Sequence, residues 1–375
     1  MAWELVTSGD ALGELTARAA AAGAVAVDTE FMRRNTFYPQ VALVQLCFGE
    51  GADGDTAWLV DPLAIGDPAP LARLLADTSV TKVLHSASED LEVFQHWLGV
   101  LPAPLFDTQR AAALLDQGFG LGYRALVEQM SGIDLPKGET RSDWLQRPLT
   151  ESQCEYAAQD VTCLLPIYRA LDGQCREQCR LDWVLDDGAD AVAAANGVEP
   201  YHPRVKGAWK LAPRQLGALV AICAWREDTA RVRDKPRSWI IDDRTCLQLA
   251  VEDPRDEREL RSRVELPRPV LRRHGEELLE LLSVQREVDA DALPGPLPKP
   301  LAAPQRDALK KLKARGRAIA RELGVAPEVL LPGKDYELLL REGAGEPVQE
   351  PRHWRGWRGE RVVAPLRQSL AGGGK

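Results

Sequence analysis

The stretch Ala24-Val25-Ala26-Val27-Asp28-Thr29-Glu30 sets a short apolar run against two acids two positions apart. The run reads as a buried strand, and a side-chain period of two puts Asp28 and Glu30 on one face at its carboxyl end. Two like charges beside a core are costly unless something neutralises them, and a divalent cation with oxygen ligands is the usual remedy. The alternative is that both acids leave the sheet for solvent. The stretch alone leaves the two readings open.

Working outward, Val41 to Phe48, Ala57 to Val60 and Lys82 to His85 are further strand-like runs. Only Phe31 to Gln40, with Pro39, separates the first two strands. That is too short for a crossover helix and predicts an antiparallel pair in a mixed sheet. Apolar spacing turns helical over Glu89 to Leu98, Gln109 to Leu115, Tyr123 to Met130 and from Glu151 onward, giving an α/β unit that ends near position 180. A connection with Pro200 and Pro203 follows, then helical patterns from Pro213 to Val288 broken at Pro254, Pro267 and Pro269. The seam Asp289 to Pro304 holds five prolines and reads as a semi-rigid linker. Beyond it lies another helical unit, in which Glu328 to Leu340 echoes Trp239 to Val251. The expected domains are 1–200 (α/β with a trailing helix), 208–290 and 298–371 (both all-α).

No apolar run approaches the roughly 20 residues of a membrane span, and Met1-Ala2-Trp3-Glu4 lacks the basic region of a signal peptide, so a cytoplasmic protein with no membrane partner is expected. The net charge of −9 argues against a polyanionic partner until the halves are separated. Residues 1–200 carry 13 Lys+Arg against 30 Asp+Glu, and residues 201–375 carry 34 against 26. A polyanion finds general attraction only on the second half, unless bound cations reverse the local field of the first. Cys175 and Cys179 are expected to share a helix face; no further Cys or His pair completes a zinc site with them.

Two more places carry acids in telling positions. Asp90 follows the strand Lys82 to His85 through Ser86-Ala87-Ser88-Glu89, at the first turn of a helix and beyond a strand's carboxyl end, where α/β active sites gather. An ordinary helix N-terminal acid has the same address. Tyr156-Ala157-Ala158-Gln159-Asp160 lies in a helix announced by a Thr150/Gln153 capping box, and a spacing of four puts Tyr156 and Asp160 on one face. There a hydroxyl could orient a water beside a carboxylate-held ion; a core-edge tyrosine and a solvated acid are the alternative.

In order and spacing these segments resemble ribonuclease D, of the tyrosine-type DEDD exonuclease superfamily: Asp28-Thr29-Glu30-Phe31 as the first motif, His85 to Asp90 as the second and Tyr156 to Asp160 as the third. Leu105-Phe106-Asp107-Thr108, Lys137-Gly138-Glu139 and Arg141-Ser142-Asp143-Trp144 are similar to intervening segments of that family. Histidine-type relatives carry His five residues before the last Asp, where this chain has Glu155, so Tyr156 marks the tyrosine type. Pro213 to Val251 resembles the helicase and ribonuclease D C-terminal domain, and the last unit a second, diverged copy.

The resemblance implies a ribonuclease H-like mixed sheet flanked by helices, followed by two small all-α domains. It further implies a two-cation 3′-to-5′ exoribonuclease that releases nucleoside 5′-monophosphates from single-stranded RNA 3′ ends, transfer-RNA precursors among them, without an organic cofactor. Asp28, Glu30 and Asp160 would hold one ion and Asp28 with Asp90 the other, Mg²⁺ first and Mn²⁺ as the alternative. Tyr156 would aim the attacking water. Asp107 is expected to cap its helix or support the site rather than to act in catalysis.

Expected RNA contacts are Phe31, His85 and Arg141 near the site, and Lys310, Lys311, Lys313 and Arg317 on a basic helix that also carries Arg315 and Arg321. Trp354 and Trp357 are expected to pack a core rather than to stack on bases. Two rivals stay in view: a DNA 3′ exonuclease, because the chemistry does not demand a 2′-hydroxyl, and an RNA-binding scaffold without catalysis, against which the complete set of four acids and a tyrosine argues.

Overall fold

The computed structural model describes residues 2–49, 56–136, 138–139, 141–197 and 199–372; Lys137 lies outside them. Six strands, β1 (Ala2–Val6), β2 (Ala24–Met32), β3 (Gln40–Phe48), β4 (Thr56–Val60), β5 (Thr81–Leu84) and β6 (Leu105–Asp107), form one sheet in the order β1-β4-β3-β2-β5-β6. β2 pairs antiparallel with β3 and parallel with β5, so the sheet is mixed, as the short connection requires.

β2 is buried on both faces, and its alternation sorts the functional residues. Val25 and Val27 pack with α1 (Gly9–Ala21), α2 (Ala69–Ala76) and α3 (Ser88–Leu98). Ala26 joins the opposite core with α4 (Thr108–Leu114), α5 (Tyr123–Ser131), α6 (Glu151–Thr162), α7 (Leu164–Glu177) and α8 (Leu181–Asn196). Asp28 and Glu30 continue the Ala26 face toward α6, and Thr29 continues the Val25 face toward α3. The strand runs on to Met32, so the two acids sit inside it rather than at its end. β5 accompanies β2 only from Ala24 to Ala26, which leaves the stretch beyond Asp28 without a parallel neighbour, and a bulge follows between Glu30 and Phe31.

The chain forms two compact units: residues 1–32, 40–196 and 302–375 in one, 33–39 and 197–301 in the other. In the second, α9 (Pro213–Val232), α10 (Arg237–Ile240), α11 (Asp243–Glu252), α12 (Glu257–Arg263) and α13 (Arg268–Arg286) enclose Leu219, Ile222, Leu249 and Leu278. Phe37 joins that core, its backbone N–H held by the Asp234 carboxylate at 2.9 Å.

The helices expected to stand as a third module, α14 (Ala303–Leu323), α15 (Pro327–Leu330) and α16 (Gly333–Gly343), pack within the first unit. Trp357 stacks on Trp183 with ring centroids 4.3 Å apart. Arg358 pairs with Asp187, Nη2 to Oδ2 at 2.8 Å, and the Ala326 N–H donates to the Ala113 carbonyl at 3.0 Å. Trp354 and Trp357 are core residues, as expected. Cys179 lies past the end of α7, exposed and in a left-handed turn, so it shares no helix face with Cys175. Among the described residues no helix is long and apolar enough to cross a membrane.

Candidate active site

Carboxylate oxygens of Asp28, Glu30 and Asp160 lie within 4.8 Å of one another. β2 supplies the first two and α6 the third. The expected capping box sets where α6 begins: Thr150 Oγ1 accepts from the Gln153 N–H at 3.1 Å, and Gln153 Oε1 from the Thr150 N–H at 2.9 Å. The helix then brings Tyr156, Gln159 and Asp160 to a cleft of about 840 Å³ lined also by Asp28, Glu30, His85, Tyr123, Arg124, Gly138 and Leu164.

Asp90 lies outside this trio and does not line the cleft, but its charge acts on Asp28 and Glu30. It occupies the first turn of α3, and Thr29 Oγ1, which points away from Asp28 and Glu30, donates to its Oδ1 at 2.5 Å. The loop before Asp90 is held by Asp107. Its Oδ1 accepts from the N–H groups of Ser86 (3.1 Å), Gln109 (2.9 Å) and Arg110 (3.3 Å), and its Oδ2 from that of Ala87 (3.1 Å). Ser86 has a φ of 59°, a left-handed conformation that a serine adopts only where neighbours enforce it. Asp107 therefore both caps α4 and fixes the turn that delivers Asp90.

The acids burden one another. Burial, then Asp90, Asp160 and Glu30, hold Asp28 well above the usual carboxylate range. Burial, then Asp160 and Asp90, push Glu30 up to about 9. Burial pushes Asp160 up to about 7, and Asp90 to about 7 against the Thr29 hydrogen bond. Such a cluster suits a divalent cation with oxygen ligands, which would supply the missing positive charge. Tyr156 is raised above its ordinary value by burial and then by Asp160, Glu30 and Asp28, which keeps its hydroxyl protonated.

The expected RNA contacts divide. His85 lines the cleft, but its Nδ1 meets Thr108 Oγ1 at 2.9 Å and its Nε2 the Leu121 carbonyl at 3.0 Å, so only its ring is presented. Phe31 is half-buried past the bulge, Arg141 is exposed, and neither lines the cleft; nor do Lys310, Lys311, Lys313 and Arg317 on α14.

Sequence reasoning missed Tyr123, whose hydroxyl donates to the Gln159 carbonyl at 2.8 Å, and Gln159 itself, although its spacing from Tyr156 places it on the same helical face. It also missed Gly138. A Cβ there would meet Tyr156 Cδ2 at 1.9 Å. The family-like segment Lys137-Gly138-Glu139 marked the stretch but gave that glycine no role.

Residues 3–175 match the family model described as 3′-5′ exonuclease, and residues 215–282 that of the HRDC domain. Ribonuclease D of Pseudomonas paraeruginosa is 45% identical over 352 residues, covering 92% of each chain. That of Escherichia coli is 37% identical over 376 residues and 99% of each chain. The crystal structure of the E. coli enzyme, described as an exoribonuclease involved in structured RNA processing, matches with a TM-score of 0.90 at 36% identity over the whole of both chains. With full-length relatives at this identity and a 3′-5′ exonuclease domain, the chain belongs to the ribonuclease D family and is a 3′-5′ exoribonuclease, a hydrolase acting on RNA.

Proposed function

We propose that this exoribonuclease works with two divalent cations, Mg²⁺ before Mn²⁺, and trims single-stranded 3′ ends of RNA, transfer-RNA precursors among them, one nucleoside 5′-monophosphate at a time. The observation that carries this reading is the meeting of Asp28, Glu30 and Asp160 within 4.8 Å beside Tyr156, in a chain of this family. Asp28, Glu30 and Asp160 would hold one cation, and Asp28 with Asp90 the other. Bound there, the pair would make hydroxide available near neutral pH and offset charge on the leaving oxygen. Tyr156 keeps its proton and so aims the attacking water by hydrogen bonding instead of accepting a proton from it.

The substrate assignment draws on charge. Of the surplus in the second half, residues 302–375 hold 15 Lys+Arg against 9 Asp+Glu, and residues 201–301 hold 19 against 17. On α14, Arg306, Lys310, Lys313, Arg317 and Arg321 recur every three or four residues and so form one stripe, a fitting track for phosphates.

The region 298–371 is a diverged second copy of the domain at 208–290. Buried positions correspond at a constant offset: Ile222 with Leu312, Ala230 with Ala320, Ile240 with Leu330, Ile241 with Leu331 and Leu249 with Leu339. The echo read from Glu328 and Trp239 is one residue out of that register. Where the first copy has Arg226 and Cys246, the second has Gly316 and Tyr336, and a Cβ at Gly316 would meet the Tyr336 hydroxyl at 2.3 Å.

Digestion of 5′-labelled single-stranded RNA with Mg²⁺ or chelator, using wild type and Asp28→Asn, tests the reading. A ladder shortening from the 3′ end only for wild type with metal supports it, and cleavage that survives chelator or the substitution overturns the two-cation assignment. Faster loss of a matched DNA would transfer the substrate to the deoxy strand. A 3′-extended transfer-RNA precursor left untrimmed would remove that substrate.

A further inference from the structure

Gln45 interrupts the apolar run Val41-Ala42-Leu43-Val44-Gln45-Leu46-Cys47-Phe48 on β3. It is completely buried, and neither its side-chain oxygen nor its nitrogen has a hydrogen-bond partner within the protein. A buried amide left unpaired bears the whole cost of its lost hydration. A position that required only bulk would be filled better by Met or Leu.

Its register supplies a reason for the polar group. Gln45 is the direct cross-strand partner of Asp28 in the antiparallel β2–β3 ladder. Such partners project from the same face with Cβ atoms about 4.5–5.5 Å apart. Leu43 and Cys47, two positions to either side, lie in the core that contains Ala26, so Gln45 and Asp28 both face α6. An unsatisfied donor thus stands beside the acid which, on the two-cation reading above, serves both ions.

We propose that Gln45 is a positioning residue for Asp28: its side-chain N–H holds one oxygen of the Asp28 carboxylate through one buried water, and so presents the other to the cations. Groups that orient a metal ligand from behind typically change metal affinity or activity by about 10- to 100-fold when removed. The inference rests on the two-cation reading and is tested apart from it.

Gln45→Met keeps the volume and removes the polar atoms. If Gln45 is only a misplaced filler, this variant melts at or above the wild-type temperature and is otherwise unchanged. If it positions Asp28, the variant melts as high, yet its Mn²⁺ affinity, measured by calorimetry without RNA, falls about tenfold or more. Its kcat then falls while KM for RNA holds. Unchanged Mn²⁺ affinity and kcat would overturn the proposal, as would losses that merely track a lowered melting temperature. Asp28→Asn in the same titration separates the two ideas: if it binds Mn²⁺ as wild type does, the cation reading itself fails, whatever Gln45→Met shows.

Discussion

Gly138 abuts the Cδ2–Cε2 edge of the Tyr156 ring, so close that a Cβ on it would come within 1.9 Å of Cδ2 and 2.2 Å of Cε2. The segment that carries it is fastened to the same helix as the tyrosine. Ser152 Oγ donates to Glu139 Oε1 at 2.7 Å, and Gln153 Nε2 to Ser142 Oγ at 2.8 Å. Trp144 packs against the same ring, its centroid 6.0 Å from that of Tyr156. The ring is thus held by glycine backbone and indole together, and a small side chain at 138 would have to move one of them.

Gly138→Ala is therefore expected to lower kcat by about 10- to 100-fold through misplacement of the hydroxyl. The carboxylates are not displaced, so Mn²⁺ affinity stays within error of wild type. Single-turnover digestion beside calorimetry checks this, and a loss of metal binding would show that the glycine supports the acids instead.

Asp107→Asn keeps an oxygen for the N–H groups of Ser86, Gln109 and Arg110 but leaves that of Ala87 facing an amide N–H. The turn ahead of Asp90 should loosen, raising the Mg²⁺ concentration for half-maximal activity several-fold. Asp107→Ala also removes the α4 cap and should cost about 1–2 kcal/mol of stability. Metal titrations of activity and urea unfolding distinguish the two effects. An unmoved Mg²⁺ requirement in the Asn variant would reduce Asp107 to a helix cap.

Without a cation, Asp90 and Asp160 sit at about 7 and Glu30 at about 9, whereas unfolded carboxyls titrate near 4, to within about half a unit. The folded state thus binds more protons than the unfolded one across that window. Stability contributed by these groups falls as pH rises from about 4 to those values and is level above them. A divalent cation binds the deprotonated acids and removes the penalty. The melting temperature of chelated protein should fall between about pH 5 and pH 8, while the rise produced by Mg²⁺ grows. A Mg²⁺ shift that is independent of pH would mean the acids are not its ligands.

Arg358 and Asp187 are 4% and 6% exposed, and Asp187 also accepts from Arg110 Nε at 3.0 Å. Arg358→Met should destabilise the unit by about 3 kcal/mol, since it strips one partner from a buried carboxylate. Urea unfolding checks this, and a change below about 1 kcal/mol would show that Arg110 alone satisfies Asp187.

On α14, replacing Lys310 and Arg317 with Glu should weaken RNA binding at low salt. The slope of log affinity against log salt should flatten by about 0.7 for each phosphate no longer neutralised. Equal slopes for variant and wild type would remove the stripe from the RNA path.

The central strands, their antiparallel pairing and the helices carrying Asp90 and Tyr156 were legible because apolar period and connection length suffice for them. β1 escaped because it is a largely exposed edge strand, and β6 because it has only three residues. The four acids and Tyr156 were readable as motif residues. The roles of Gln45 and Gly138 were not, since one acts through a cross-strand register and the other through the absence of a side chain. The last helices read as a separate module because Trp183 and Trp357 belong to distant stretches, and periodicity within either says nothing of their stacking.

The first unit is interrupted by the second along the chain, leaving at Asn196 and resuming at Ala302. On the ribosome, Ala113 of α4 and Trp183 of α8, which receive Ala326 and Trp357, therefore emerge long before their cover does. Synthesis adds roughly 5–20 residues per second, so those positions wait several seconds, unprotected, while the intervening unit is made. The catalytic body can close only when the helices that follow the insertion arrive, so its core waits on residues from Ala302 onward.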